Sequence, residues 1–391
     1  MRITEVRTFI VDGFRANFVF VKILTDAGIH GVGEGTIEFS ERAVASAIEE
    51  KASYLVGKDP FRVVFHRETM NRDTYFRTGV VLRSALSAIE AALLDIKGKA
   101  LGVPVYELLG GKMRDSIRCY ANAWFSGARE PEDFAEKAKR VLDLGFTALK
   151  WDPFGSAYMQ LTPEEGRKAL RCIGAVRAAV GSDIELMIEG HGRFDVPTAI
   201  RFANRMAEYD PYWFEEPLPP ESIDAFADVR RNVPCAIATG ERYYENARFA
   251  EVIEKSAADY LQPDVCHMGG LMELQTVAAM AAARYVAIAP HNPMGPVANA
   301  MALQLAACIP NFHILETMMT DVPWRKDICH EQVSMRNGEM IIPDAPGLGI
   351  DIDEEACAAH PYKPYALRHY IGTLTDIRPE GTEQPFYTVV K

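Results

Sequence analysis

The sequence predicts an α/β protein: a (β/α)₈-type barrel preceded by a smaller domain of strands and helices. Two observations carry that expectation. From about residue 117, short apolar runs alternate with amphipathic helical stretches, giving eight strand–helix steps of roughly 25–30 residues each. Seven consecutive runs then end in an ionisable residue, as a barrel's C-terminal rim does when each strand delivers one functional side chain. A doubly wound open sheet competes, but its ligands gather at one switch point, and it has no use for acids at so many successive strand ends. A chain of 391 residues also exceeds the size at which one core stops growing, so a second domain is expected.

The first domain is expected over residues 1–116. Residues 2–12 and 17–24 alternate as strands, and Asp26-Ala27-Gly28 turns the chain into a third strand near 29–34. Helices follow at about 39–55 and 80–101. In the second of these, Leu82, Ala85, Leu86, Ile89, Ala92, Leu93 and Ile96 recur at steps of three and four and mark a buried face. Leu108-Leu109-Gly110-Gly111-Lys112 closes the region. The barrel, residues 117–325, draws its strands from Arg118–Trp124, Ala148–Trp151, Ile184–Ile188, Tyr212–Phe214, Ala236–Ala238, Tyr260–Leu261, Val286–Ala289 and Phe312–Leu315. Thr162-Pro163-Glu164-Glu165 reads as the N-cap, N1 proline and capping-box glutamate of a helix that Gly181 stops, and Pro131 to Gly145 repeats the pattern. After about 325 the rhythm is lost. Pro343, Pro346-Gly347 and Pro361 to Pro364 mark irregular chain, and residues 326–391 are expected to pack back on the first domain.

Composition excludes several functions. With 48% apolar and 25% charged residues the chain has the make-up of a soluble globular protein. A net charge of −12 argues against nucleic acid and anionic membranes as partners, though not against an anionic small molecule held by a local site. The seven cysteines are scattered and odd in number, with no CxxC, as in a reduced cytoplasmic protein. The first residues, MRITEVRTFIV, alternate like a strand and lack a secretory apolar region; the longest apolar stretch, Val277 to Ala283, is too short to span a membrane.

The strand ends carry, in order, Lys150 and Asp152; Glu189 with His191 and Arg193; Glu215; Glu241; Asp264; His291; and Glu316. Each has a plainer reading alone: an acid after an apolar run is usually a helix N-cap or a solvated loop residue, a single histidine a satisfied structural group, and Lys150 half of a rim ion pair. The spacing shifts the balance. Glu189, Glu215 and Glu241 stand 26 residues apart, the length of one strand, one helix and two loops, so the three carboxylates should meet on one rim. Two carboxylates about 4 Å apart repel by roughly 4 kcal/mol at an effective dielectric near 20. Three such pairs would burden a marginally stable fold unless a cation lay between them. Oxygen-only donors point to a hard cation, Mg²⁺, rather than zinc. Asp264 and His291, 27 residues apart, are placed to pair across neighbouring strands. His66, His267, His313, His330, His360 and His369 have no such context and read as structural.

Several segments together resemble the enolase superfamily, mandelate racemase subgroup, along nearly the whole chain. They are Ala85-Leu-Ser-Ala-Ile-Glu through Leu93-Leu-Asp-Ile-Lys-Gly-Lys, Gly102-Val-Pro-Val through Leu109-Gly-Gly-Lys, Phe214-Glu-Glu-Pro, Gly240-Glu, Gln262-Pro-Asp and Pro290-His-Asn. Within the subgroup, Ala148-Leu-Lys-Trp-Asp-Pro-Phe-Gly and Ile188-Glu-Gly-His-Gly-Arg-Phe are similar to sugar-acid dehydratases of the gluconate and galactonate type. The resemblance implies a modified (β/α)₇β TIM barrel under an α+β capping domain, and a symmetric homo-oligomer, often an octamer. It implies that Glu189, Glu215 and Glu241 bind Mg²⁺, that His291 oriented by Asp264 is the general base, and that His191 is the general acid. Glu316 would sit beside the substrate carboxylate, and Lys150 would help stabilise the enediolate. Two departures stand out. Glu189 replaces the aspartate that much of the superfamily uses, and Asp152 stands where racemases carry a second lysine, which favours elimination over racemisation.

The implied reaction is dehydration of an aldonate to a 2-keto-3-deoxy acid: loss of the carbon-2 proton, then of the 3-hydroxyl, with the two histidines exchangeable if the substrate has the opposite configuration. A racemase, epimerase or cycloisomerase using the same intermediate, and a non-catalytic sugar-acid binding protein, are the alternatives. Specificity would come from the capping domain. Arg15 to Phe18 and Tyr75-Phe76-Arg77 are candidate contacts, with Asp152, Arg193 and Trp324-Arg325 on the barrel side. The plainer reading of these is surface loops with a few aromatic side chains.

Overall fold

The computed structural model describes residues 1–330, 333–378 and 385–390. The chain opens with an antiparallel sheet, β1 (Ile3–Asp12), β2 (Asn17–Thr25) and β3 (His30–Glu34), ordered β1-β2-β3. Against it lie α1 (Glu41–Leu55), α2 (Val63–Arg72), α3 (Val80–Leu101) and the short α4 (Val105–Leu108). α3 is buried along most of its length and presses on β3. The approach is so close that a Cβ at Gly33 would lie 2.0 Å from the Ala88 carbonyl oxygen, so only glycine fits there. The apolar pattern from Leu82 to Ile96 thus marks a helix closed in on nearly all sides. The helix α2 was not foreseen from the sequence, because its exposed Val64 and Phe65 blur its period.

The barrel alternates strand and helix: β4 (Ser116–Asn122), α5 (Pro131–Leu142), β5 (Ala148–Trp151), α6 (Pro163–Val180), β6 (Glu185–Glu189), α7 (Val196–Met206), β7 (Pro211–Glu215), α8 (Ile223–Arg231), β8 (Ala236–Thr239), α9 (Asn246–Glu254), β9 (Tyr260–Leu261), α10 (Leu271–Ala282), β10 (Ala287–Ile288), α11 (Pro296–Cys308) and β11 (Leu315–Met318). Neighbours pair in parallel from β4 through β10, β11 pairs with β4, and a bridge between Ile288 and Phe312 joins the last two strands. Eight strands and seven helices make a (β/α)₇β barrel. Local chemistry sets the helix ends. At α6, Thr162 and Glu165 cap each other's backbone N–H groups, Pro163 takes the first helical position and Gly181 ends the helix at φ +81°. The last strand begins at Leu315 rather than Phe312, since Phe312 and His313 are spent on bridging to Ile288.

The C-terminal segment does more than cover the first domain. After α12 (Arg325–Ile328), β12 (Ser334–Arg336) and β13 (Glu339–Ile341) form a hairpin that pairs β13 antiparallel with the start of β4. The segment then packs α13 (Glu354–Ala359) against β1, and Pro361 bridges Val11. From there it crosses the barrel mouth and returns to the floor, where β14 (Thr388–Val389) pairs with β12. No helix among the described residues is long and apolar enough to cross a membrane. All seven cysteines are buried and unbridged.

Candidate active site

The barrel interior explains how the site is assembled. Tyr120, Ala148, Met187, Trp213, Ala238, Ala289 and Ile314 form one buried cluster inside it. Strand side chains alternate faces, so the residue two positions further on points the same way but nearer the C-terminal rim. Those residues are Asn122, Lys150, Glu189, Glu215, Gly240, His291 and Glu316. Six are polar. At the seventh, Gly240, a Cβ would lie 2.6 Å from the Gln262 backbone nitrogen, and φ is +149°; only glycine fits, and the chain turns to deliver Glu241 instead. The equal 26-residue steps therefore hide an offset: Glu189 and Glu215 are cross-strand partners, whereas the partner of Glu215 on β8 is Ala238.

Glu189, Glu215 and Glu241 each offer one oxygen, and the three oxygens lie within 4.8 Å of one another. Glu189 and Glu215 are buried. Burial first, then the charge of Glu215, pushes the Glu189 carboxyl well up, and its Oε2 has no hydrogen-bond partner among the described residues. Lys150 offsets part of this charge, with Nζ 2.5 Å from Glu215, 3.2 Å from Glu316 and 3.4 Å from Glu189. Three carboxylates around one ammonium, with Glu241 beside them, still leave a net negative centre. An orphaned buried oxygen, all-oxygen donors and surplus negative charge fit a divalent cation. Trp213 Nε1 donates to Glu215 Oε2 at 3.0 Å and the His191 backbone N–H donates to Glu189 Oε1 at 2.6 Å, which fixes both carboxylates. Glu316 accepts from Asn122 Nδ2 and the Asn292 backbone N–H. Burial opposes its charge, but Lys150 and His291 outweigh that and hold its pKa at about 2.

Two histidine–aspartate pairs flank this centre. His291 Nδ1 lies 2.6 Å from Asp264 Oδ2, and its Nε2 faces Glu241 at 3.4 Å. Burial works against an imidazolium here, but Glu241 and the Asp264 hydrogen bond outweigh it and raise the pKa to about 10. The second pair joins His191 Nδ1 to Asp152 Oδ2, also at 2.6 Å. His191 sits at φ +48°, the left-handed region, a conformation held by its backbone bond to Glu189 and by the Tyr370 hydroxyl donating to its carbonyl at 2.9 Å. A small cavity opens beside these groups; Lys150, Glu189, His191 and Asn122 line its barrel side, and Arg15, Arg368 and His369 line its roof.

Residues 8–110 match the mandelate racemase/muconate lactonizing enzyme N-terminal domain, and residues 133–356 match the enolase C-terminal domain-like family. The chain belongs to the enolase superfamily. It is 37% identical to the D-gluconate dehydratase of Thermoproteus tenax over 88% of this chain and 70% of the relative. It is 36% identical to the D-galactonate dehydratase of Pectobacterium atrosepticum over 91% of this chain and 93% of that one, and 34% identical to the D-xylonate dehydratase of Haloferax volcanii over 92% and 88%. Among solved structures, a mandelate racemase/muconate lactonizing enzyme from Sulfitobacter superimposes with a TM-score of 0.88 at 32% identity, covering 94% of this chain and 97% of that one. An enolase superfamily member from Salmonella Typhimurium does so with 0.88 at 30%, covering 92% and 98%. Members of this superfamily bind a divalent metal, and Glu189, Glu215 and Glu241 are grouped closely enough that they could hold one.

Several expected substrate contacts lie elsewhere. Asp152 does line the cavity, but its Oδ1 accepts from the Phe154 backbone N–H and its Oδ2 is shared by His191 and Arg193, so its first task is to orient a histidine. Arg193 is fully buried and spends its guanidinium on Asp152 and the carbonyls of Gly190, Gly155 and Ala157. Tyr75 and Arg77 project into solvent from a loop whose Thr78 hydroxyl bonds Glu245, away from the cavity lining. Trp324 donates from Nε1 to the Asp12 carbonyl and stacks on His360, tying the capping domain to the chain after β11. Its neighbour Arg325 is buried on Asp321. Arg15 does line the cavity, paired with Glu38. Sequence reasoning missed His369, set aside as structural, along with Arg368 and Asn122. Asn122 could have been found as the β4 member of the inward series; the two tail residues carry no local signal.

Proposed function

We propose that this protein is a Mg²⁺-dependent sugar-acid dehydratase, converting an aldonate of the gluconate or galactonate type to its 2-keto-3-deoxy acid. The observation that carries the reading is the pair of aspartate-held histidines beside the glutamate trio. Elimination of water needs one group to take a proton and another to give one, and a binding protein needs neither. A cation on Glu189, Glu215 and Glu241 would supply Lewis-acid stabilisation of the charge that develops on the substrate carboxylate. Hard oxygen donors favour Mg²⁺ for that place.

The protein's own groups do the rest. Lys150 adds a fixed positive charge at the same carboxylate end, held by three glutamates so that it does not reorient as charge builds. With the Glu241 charge, the main pull that keeps its imidazole protonated, offset by a cation there, His291 would take the carbon-2 proton at Nε2, with Asp264 fixing the tautomer through Nδ1. His191, presented by the adjoining loop and held through Nδ1 by Asp152, gives a proton from Nε2 to the departing 3-hydroxyl. Glu316, charged and fixed by two donors, helps hold the Lys150 ammonium at the acid end. The segment over the mouth keeps water from the reacting carbon.

The test is conversion of a stereochemically complete panel of aldonates, followed as 2-keto acid, with and without Mg²⁺ after chelation. The reading predicts turnover that needs the metal and that His291→Asn removes. Metal-independent turnover, or wild-type rates in His291→Asn, would overturn it. Two imidazoles beside the glutamate trio also suit epimerisation at carbon 2; proton exchange in D₂O with no loss of hydroxyl would select that second reading.

A further inference from the structure

The roof of the cavity belongs to the C-terminal segment, and its anchoring is deliberate. On the side of the capping domain, Asn17 exchanges two hydrogen bonds with the Lys363 backbone, at 2.8 and 2.9 Å, and Asp12 takes the Lys363 ammonium at 2.6 Å and the Tyr365 hydroxyl. On the side of the barrel, the Gly127 N–H donates to the Thr375 carbonyl at 2.7 Å, Arg129 pairs with Asp376, and buried Arg378 donates to the Thr320 carbonyl at 3.1 Å. Between these fixed points the chain lays Arg368 and His369 into the cavity that Lys150 and Glu189 line from below.

These roof groups are not all spent on one another. Arg15 is committed to Glu38 through Nε at 2.6 Å and a second N–H. Arg368 gives one N–H to the Asp376 carbonyl, while its buried Nε has no hydrogen-bond partner among the described residues. A buried guanidinium N–H without an acceptor costs about 1–3 kcal/mol, so Arg368, which lines the cavity, keeps hydrogen-bonding capacity uncommitted for a ligand oxygen. His369 lies with Nε2 3.5 Å from Glu38 Oε2 and its ring 5.7 Å from that of His191. The carboxylate favours the tautomer protonated at Nε2, which leaves Nδ1 to accept. The roof therefore offers both a donor and an acceptor.

We infer that Arg368 and His369 of the C-terminal strap bind the distal hydroxyl groups of the sugar acid, so that the strap reads chain length and the configuration far from the reacting carbon. A hydroxyl both donates and accepts, which matches the mixed set. A distal carboxylate only accepts and would be repelled by Glu38, whose pKa stays at about 2 because, against the cost of burial, Arg15 stabilises its charge. Burial drives His369 itself down to about 4, so it serves as a neutral imidazole at neutral pH. The inference rests on the dehydratase reading, since it assigns the far end of that substrate.

Steady-state kinetics on D-gluconate, D-galactonate, the five-carbon D-xylonate and the diacid galactarate test it, with Arg368→Met, Arg368→Lys, His369→Leu and His369→Asn. For the best six-carbon acid, Arg368→Met and His369→Leu should raise KM about tenfold or more with kcat within about threefold. His369→Asn, which keeps a donor and an acceptor, should recover most of the loss. The penalty should be largest for the six-carbon acid and at least threefold smaller for D-xylonate, which lacks the last hydroxyl. Equal losses on long and short acids, a fall in kcat with KM unchanged, or a wild-type preference for galactarate would overturn the inference while leaving the dehydratase reading intact. Absence of wild-type turnover on every acid would overturn both.

Discussion

His291 and His313 lie inside the same barrel, one at its mouth and one at its floor, and their surroundings drive them in opposite directions. His291 faces Glu241 and Asp264 and is held up at about 10. His313 stacks flat on Tyr212, accepts or donates to its hydroxyl at 2.8 Å, and has no carboxylate beside it; burial, then the charge of Arg118, drives it down to about 4. Desolvation alone makes an imidazole reluctant to charge, and it takes placed carboxylates to reverse that. The mouth charges its histidine and the floor keeps its own neutral, although both are built from the same alternating strand pattern.

The mouth also contains a finer contrast. Asp264 gives its charge to His291 without an arginine beside it, whereas Asp152 divides its charge between His191 and the buried Arg193. A carboxylate with no arginine on it suits a histidine that must accept a proton, and the one shared with Arg193 suits a histidine that must release one. The largest expected effects follow from this division. His291→Asn should lower kcat by about 10²–10⁴-fold and abolish exchange of the carbon-2 proton with D₂O, followed by NMR. His191→Asn should lose dehydration to a similar extent yet keep that exchange. Exchange lost in both variants, or kept in both, breaks the assignment of base and acid.

Replacing the aspartates should separate chemistry from stability. Asp264→Asn is expected to cut kcat by about 10²-fold or more, because the imidazole loses its tautomer, with a modest change in Tm. Asp152→Asn should cut kcat by only about 10–100-fold. It should destabilise the fold more, by about 3–5 kcal/mol, because it strands the Arg193 guanidinium where nothing else compensates its charge. Reversed ranks in thermal melts would mean that Arg193 is satisfied by its three carbonyl partners alone. Metal binding should act on the mouth only. Saturating Mg²⁺ should raise Tm, with about 2.7 kcal/mol of stabilisation at a hundredfold excess over Kd. Glu215→Gln should erase that rise, while Tyr212→Phe at the floor should preserve it.

Much of this was legible in the sequence, for a physical reason. Where one strand and one helix repeat at constant length, residue spacing converts directly into spatial neighbourhood, which is how Glu189, Glu215 and Glu241, and Asp264 with His291, could be placed together. Asp152 and His191 escaped because β5 and β6 are joined by a longer connection, from which Met159 bridges to Phe194 beyond β6, so the same arithmetic gave no pair. Arg193 was misread because its four partners are three backbone carbonyls and that same aspartate, and carbonyl directions are invisible in a sequence. Arg368 and His369 reach the cavity only because Asn17, Asp12, Gly127 and Arg129 pin the strap on either side. Those contacts span more than 200 residues of chain and leave no periodic trace.

The smallest expected effect tests the floor. The folded pKa of His313, about 4, lies below the ordinary histidine value of about 6.5. Between those values the unfolded chain binds more protons than the folded one, so this group's contribution is fully present above pH 6.5 and is lost as the pH falls towards 4. Wild-type Tm should therefore decline over that window more steeply than the Tm of His313→Gln, which cannot titrate there and keeps a polar partner for Tyr212. The difference between the two curves isolates His313 from the carboxylates that also titrate on the acid side. Parallel curves would mean that water or Tyr260, whose hydroxyl lies 2.8 Å from that of Tyr212, lets the floor accept an imidazolium, and the contrast between the two ends of the barrel would narrow accordingly.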